Sequence, residues 1–201
     1  MKLKIASAVL AASSSVLMAQ SDAIDSNVIH DYTQVGIGYG FLNDIGNSGE
    51  NAHGIVGGAS YDLSNFILGA GGGYFWGQDD SHFDTWNIFG AVGYVFRVMD
   101  DHLNIIPNAS VAYTETRHEV NEASTTAQPG IQLSYAFNNK FAIHGGYNYA
   151  FELDNRANVD EHIFNVGADY ALSDSVGLGV TGFFVDDLGF TGLTAGLSYH
   201  F

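Results

Sequence analysis

The sequence predicts an all-β chain, a transmembrane antiparallel up-and-down β-barrel of ten strands, with eight as the alternative count. Three observations carry that expectation. Apolar residues alternate with small or polar ones at period two along most of the chain. The alternating stretches are almost free of charge. The connections between them come in two sizes, short turns and longer acidic loops.

Composition sets the outer bounds. The 201 residues suit one domain, and 46% hydrophobic content argues against disorder. Charged residues are only 14%, against roughly 25% in an ordinary soluble domain. The formal net charge of −16 argues against a nucleic-acid partner, because phosphates would be repelled. The absence of cysteine excludes zinc–thiolate and thiol-redox sites. Nothing in the sequence asks for a cofactor.

Residues 1–19 are expected to be a secretory signal peptide. Lys2 and Lys4 form a basic start, and the run IASAVLAASSSVLMA is apolar, small and uncharged, ending at Ala19. The run is shorter than a membrane helix needs. Residues 20–31 then form a short N-terminal periplasmic segment, and the barrel occupies 32–201. Beyond the leader the fixed positive charges are Arg97, Arg117, Lys140 and Arg156.

The strands follow from parity. In YTQVGIGYGF, Val35, Ile37, Tyr39 and Phe41 share one face, and Gln34, Gly36, Gly38 and Gly40 the other. The same reading places strands at 32–41, 52–61, 66–76, 85–96, 105–114, 131–137, 141–151, 163–172, 176–185 and 191–201. One face is bulky; the other is mostly Gly, Ala, Ser, Asn, Gln and Thr. Pro107 falls inside the fifth strand, where it removes a ladder bond, so a bulge or the strand's start is its expected place.

Charge decides the solvent. Both soluble and membrane barrels alternate, but a soluble sheet needs Lys, Arg and Glu on its wet face. The ten spans contain a single charge, Asp169. A charge on the lipid face costs about 2–4 kcal/mol at the midplane, so lipid demands this pattern. Aromatic residues crowd the strand ends, where rings favour the headgroup level.

Short connections at 62–65, 97–104, 138–140 and 172–175 alternate with longer ones at 42–51, 77–84, 115–130, 152–162 and 186–190. Four short turns and five long loops make ten strands with both termini on the short-turn side. The long loops carry most of the acids, opposed only by Arg117 and Arg156. A rim of this sign concentrates cations over a Debye length, ~8 Å at physiological salt.

The chain ends LTAGLSYHF, with Leu193, Ala195, Leu197, Tyr199 and Phe201 on one face. This final strand resembles the assembly signal of bacterial outer-membrane β-barrel proteins. From about Tyr32 onward the chain resembles their small-barrel and porin-like group, which includes outer-membrane protein A-like and X-like barrels. Ten strands depart from the eight of those barrels. The resemblance implies the bacterial outer membrane, contact with its lipid, and recognition of the last strand by the barrel-assembly machinery.

Inward parity makes His144, Asn148, Asn165, Asp169, Thr181 and His200 candidate polar groups of a lumen, and places many glycines beside them. Those glycines either leave space for water or permit tight coiling. The functional expectation is a passive porin-like small-solute pore with a cation-favouring acidic mouth, or a structural envelope protein. A surface adhesin is the alternative. An outer-membrane protease or lipid hydrolase ranks last: Asp160-Glu161-His162 resembles the carboxylate–histidine usage of outer-membrane aspartyl proteases, but the loops are too short for their extended barrel. Asp79, Asp80, His82 and Asp84 are read as a solvated acidic loop rather than a metal site, so no catalytic or metal residue is assigned. Solute and oligomeric state are not encoded in any motif.

Overall fold

The computed structural model describes residues 32–43, 51–78, 84–100, 102–117, 122–154, 160–185 and 190–201. The expected signal peptide, the segment 20–31, and Asp79, Asp80, His82 and Arg156 lie outside them.

Eleven strands form one sheet: β1 (Gln34–Asn43), β2 (Ala52–Leu63), β3 (Phe66–Gly77), β4 (Asp84–Tyr94), β5 (Phe96–Val98), β6 (Leu103–Arg117), β7 (Glu122–Asn138), β8 (Phe141–Glu152), β9 (Asp160–Ala171), β10 (Val176–Val185) and β11 (Phe190–His200). Each pairs antiparallel with its neighbour, and β1 pairs with β11 from Gln34↔His200 to Asn43↔Thr191. Phe201 N donates to Thr33 O at 3.4 Å and extends the seam. Because lipid offers no partner to N–H and C=O groups, a closed ring is the form that a sheet can take across a bilayer.

The ring has ten staves, because β4 and β5 are one stave. Gly93 stands opposite Asn108 on β6 and Phe96 opposite Ile105, so the register is unbroken and Tyr94 faces Pro107. Proline brings no N–H to that pair. In an antiparallel pair a residue exchanges both its bonds with one neighbour. Pro107 therefore interrupts the ladder on one side only and stays in register with Ile131 on β7. It occupies neither a bulge nor a strand start. Pro129 does the same one stave on: it pairs with Ala109 on β6, while the β7–β8 ladder skips from Ala127↔Phe151 to Gly130↔Asn148.

The largest departures from the sequence reading lie at the loop ends of β6, β7 and β9. The expected loop at 115–130 is mostly strand, since β6 runs to Arg117 and β7 starts at Glu122. Glu115, Glu122, Glu152, Asp160 and Glu161 accordingly sit in strand ends rather than in loops. The stretch EASTTAQP hides its strand because its outward residues, Ala123, Thr125, Ala127 and Pro129, are not the bulky apolar set that lipid selects.

The four short turns share one end of the barrel, the turn end. Ser64 adopts φ 68° in the two-residue link between β2 and β3, and Met99 and Asp100 adopt 56° and 54° after β5. Asn138 Oδ1 accepts from Lys140 N at 2.9 Å and Phe141 N at 3.0 Å, closing the β7–β8 turn as an Asx turn.

The outer wall carries the apolar parity. Ile37, Ile55, Leu68, Ile88, Val111, Leu133, Val166 and Leu197 are exposed at mid-height. Rings gather at both margins. Phe66–Tyr94–Phe96 (4.9 and 4.7 Å between centroids) and Tyr135–Phe137–Phe141 (5.0 and 5.6 Å) ring the turn end. Trp86–Tyr113 (5.5 Å) and Tyr147–Phe164 (5.2 Å) belong to the opposite, loop end. Two aromatic belts around an aliphatic band are what a bilayer selects.

Candidate functional site

Among the described residues, the inner face is the surface that the lipid-facing wall leaves for function, and it is divided by composition. On β1, β2 and β3 it carries Gly36, Gly38, Gly58, Gly69 and Gly71, most of them half-buried. On β6, β7 and β8 it carries hydroxyls and amides, among them Ser110, Gln128, Gln132, Ser134 and His144. In a ring of ten staves β1 lies five from β7 by either route. A glycine-rich wall thus faces a polar wall.

The sequence left open what the inward glycines do, and several are seats. Phe75 on β3 lies against β2 and β1, so that a Cβ at Gly54 or Gly40 would run into its ring. Phe183 covers Gly192, Asn148 covers Gly130, and His144 covers Gly167 in the same way. Each covered glycine stands on a stave next to that of the covering residue, or one further on. Large inward side chains lie flat on the wall because a neighbour has no side chain there.

The His144 seat builds a polar tie across three staves. Its ring passes over Gly167 on β9 and reaches Thr181 Oγ1 on β10 at 3.1 Å through Nε2. Its Nδ1 lies 2.8 Å from Asp169 Oδ2. A carboxylate accepts, so Nδ1 carries the proton, and Nε2 shares a hydrogen bond with the Thr181 hydroxyl. The order hydroxyl–imidazole–carboxylate matches a nucleophile relay, but Thr181 is buried and its flanking N–H groups serve the ladders to β9 and β11. With those N–H groups engaged in the ladders, the arrangement is suited to holding staves together.

All six expected lumen residues face inward, and three of them meet: His144, Asp169 and Thr181. Asn148 and Asn165 line the same wall nearer the loop end, and His200 Nε2 lies 2.9 Å from Ser198 Oγ at the turn end. Leu193, Ala195, Leu197, Tyr199 and Phe201 share the lipid face of the strand that closes the ring, with Leu193, Leu197, Tyr199 and Phe201 exposed. Strand alternation separates Asp160 and His162, which point outward, from Glu161, which points inward. His162 Nδ1 is engaged by Tyr147 Oη at 2.7 Å. Among the described residues no group of three His, Cys, Asp or Glu could hold a metal ion.

Sequence reasoning missed the floor. Tyr32, 1% exposed, turns into the turn end and packs with Ile67, Val95 and Ile106. Its Oη accepts from Asn104 Nδ2 at 2.6 Å, and its carbonyl accepts from Ser60 Oγ at 2.6 Å. The signal was parity: position 32 falls in phase with Gln34, Gly36 and Gly38 and so points inside. Beside it, Arg97 pairs with Asp62 at 3.6 Å and donates to Asn65 Oδ1 at 2.6 Å, pinning the β2–β3 turn.

The outer membrane protein beta-barrel domain family matches residues 6–171 of this chain. The chain belongs to that family. It is a β-barrel protein of the bacterial outer membrane. No curated protein matches this family member. Among solved structures, its fold is similar to the translocator domain of the autotransporter NalP from Neisseria meningitidis, at 10% identity and TM-score 0.55, over 97% of this chain and 94% of that one. It is also similar to the beta domain of the Bordetella autotransporter BrkA, at 13% identity and TM-score 0.53, over 84% and 99%. The NanC porin matches at 10% identity and TM-score 0.49, over 83% and 100%.

Proposed function

We propose that this outer-membrane barrel is a narrow passive pore for small hydrophilic solutes, with a preference for cations at its loop-end mouth. The observation that carries the reading is the divided lumen: half-buried glycines on β1–β3 face hydroxyls and amides on β6–β8. Glycines that no side chain covers leave bore, and a neutral polar wall replaces part of a solute's hydration. The inward carboxylates Glu122, Glu152 and Glu161 stand near the loop end of three adjacent staves, β7, β8 and β9, which supports the cation preference. The pore reading assigns no catalytic residue. The lipid-facing Leu193, Leu197, Tyr199 and Phe201 on the closing strand are the surface we assign to the barrel-assembly machinery and, after insertion, to outer-membrane lipid.

Single-channel recording in planar bilayers tests the pore. Purified folded protein should give small, stable conductance steps, with a reversal potential of cationic sign in a salt gradient. Heat-modifiable, correctly folded barrels that give no steps would refute it.

A further inference from the structure

We infer that Tyr32 is a tethered stopper in the turn-end mouth, limiting entry to the lumen from that side. The passage it would limit is the proposed pore, but the stopper itself rests on separate geometry. Tyr32 precedes β1, yet its hydroxyl is held by Asn104 on β6, four staves away in a ring where five is the diameter. The side chain therefore reaches across the floor instead of lying on its own stave. Along that reach it packs on Ile67 of β3, Val95 between β4 and β5, and Ile106 of β6.

Both ends of the residue are fixed. Ser60 of β2 donates to the carbonyl and Asn104 to the hydroxyl, each at 2.6 Å. The backbone tether holds the residue at the mouth, and the side-chain tether holds the ring across it. A side chain that served only to start β1 would need the first. The second reaches the far side of the floor, while the barrel itself is closed through the β1–β11 seam.

The test uses accessibility, since the chain has no native cysteine. Gly69→Cys places a thiol on the inner face of β3, two residues above Ile67. There an added Cβ meets nothing closer than Ala59 O at 3.8 Å. Barrels folded into preformed vesicles are labelled with a bulky charged thiosulfonate from the side of the turns, identified by tryptic cleavage at Lys140. Tyr32→Ala should accelerate labelling at least tenfold. Asn104→Ala, which removes that bond and keeps the ring, should give a smaller acceleration.

Equal labelling rates in folded Tyr32→Ala and parent barrels would overturn the stopper. If Tyr32→Ala does not fold, Asn104→Ala decides by the same comparison. Conductance separates the two readings. Faster labelling with no conductance in either barrel keeps the stopper and removes the pore. Conductance in both, with labelling unchanged, removes the stopper and keeps the pore.

Discussion

Gly192→Ala should destabilise the barrel through one contact, and the structure states which. An added methyl would stand 2.0 Å from Phe183 Cζ and 2.4 Å from Cε2, where carbon atoms prefer about 3.5–4.0 Å. The three nearest atoms all belong to the Phe183 ring, so the ring is what must give way first. Phe183 is buried, and forcing extra volume into a packed site typically costs about 1–3 kcal/mol. Phe183→Ala by itself should cost about 3–5 kcal/mol by the scale for buried aromatics, toward the lower end if water refills the site. In the double variant the obstacle is gone. Gly192→Ala added to Phe183→Ala should cost almost nothing, giving a coupling of about 1–3 kcal/mol. Urea titration in lipid vesicles measures this, followed by the fluorescence of Trp76 and Trp86, both on the outer wall. Additive costs, or a Gly192→Ala barrel as stable as its parent, would refute the seat argument.

Three other outcomes follow from the same geometry. Val166→Arg, at an outward mid-height position 68% exposed, should destabilise the membrane-inserted barrel by about 2–4 kcal/mol in the same titration. His144→Ala removes a hydrogen bond to a carboxylate and should cost about 1.5–3 kcal/mol; His144→Ala with Asp169→Ala should cost less than the two separate losses combined. Pro107→Ala supplies an N–H opposite Tyr94, and hydrogen exchange should find that amide protected, whereas rapid exchange would contradict the single-stave reading of β4 and β5.

Much of the fold was legible because lipid and water sort side chains on a strict two-residue period. That period located ten staves, their inward and outward faces, and four turns at one end. It failed where the solvent changes. Glu122–Gln128 is strand, but its outward residues are not those that lipid requires, and the sequence there looks like a loop. It also failed at the prolines, because parity says which face a residue takes and nothing about which neighbour it bonds. Pro107 and Pro129 each break one ladder and leave the other in register, and only the pairing reveals which. In the lumen, parity identified His144, Asp169 and Thr181 as inward. Their meeting depended on Gly167 lying between His144 and Thr181 in the lateral row, a relation between staves and not along one.

That relation explains why the inner wall needs both glycine and bulk. Outward positions face a fluid that adapts to any apolar shape, so their identities are loosely set. Inward positions face one another across a short distance, so a large residue on one stave requires a small one beside it. Phe75 with Gly54 and Gly40, Phe183 with Gly192, and His144 with Gly167 are solutions of this one problem. Tyr32 is held differently from Phe75 and Phe183: its hydroxyl is bonded from the far side of the floor. A side chain laid flat on the wall preserves bore; one held across it removes bore. By that distinction the proposed role of the ring at position 32 is to limit passage, while those at 75 and 183 stiffen the wall around it.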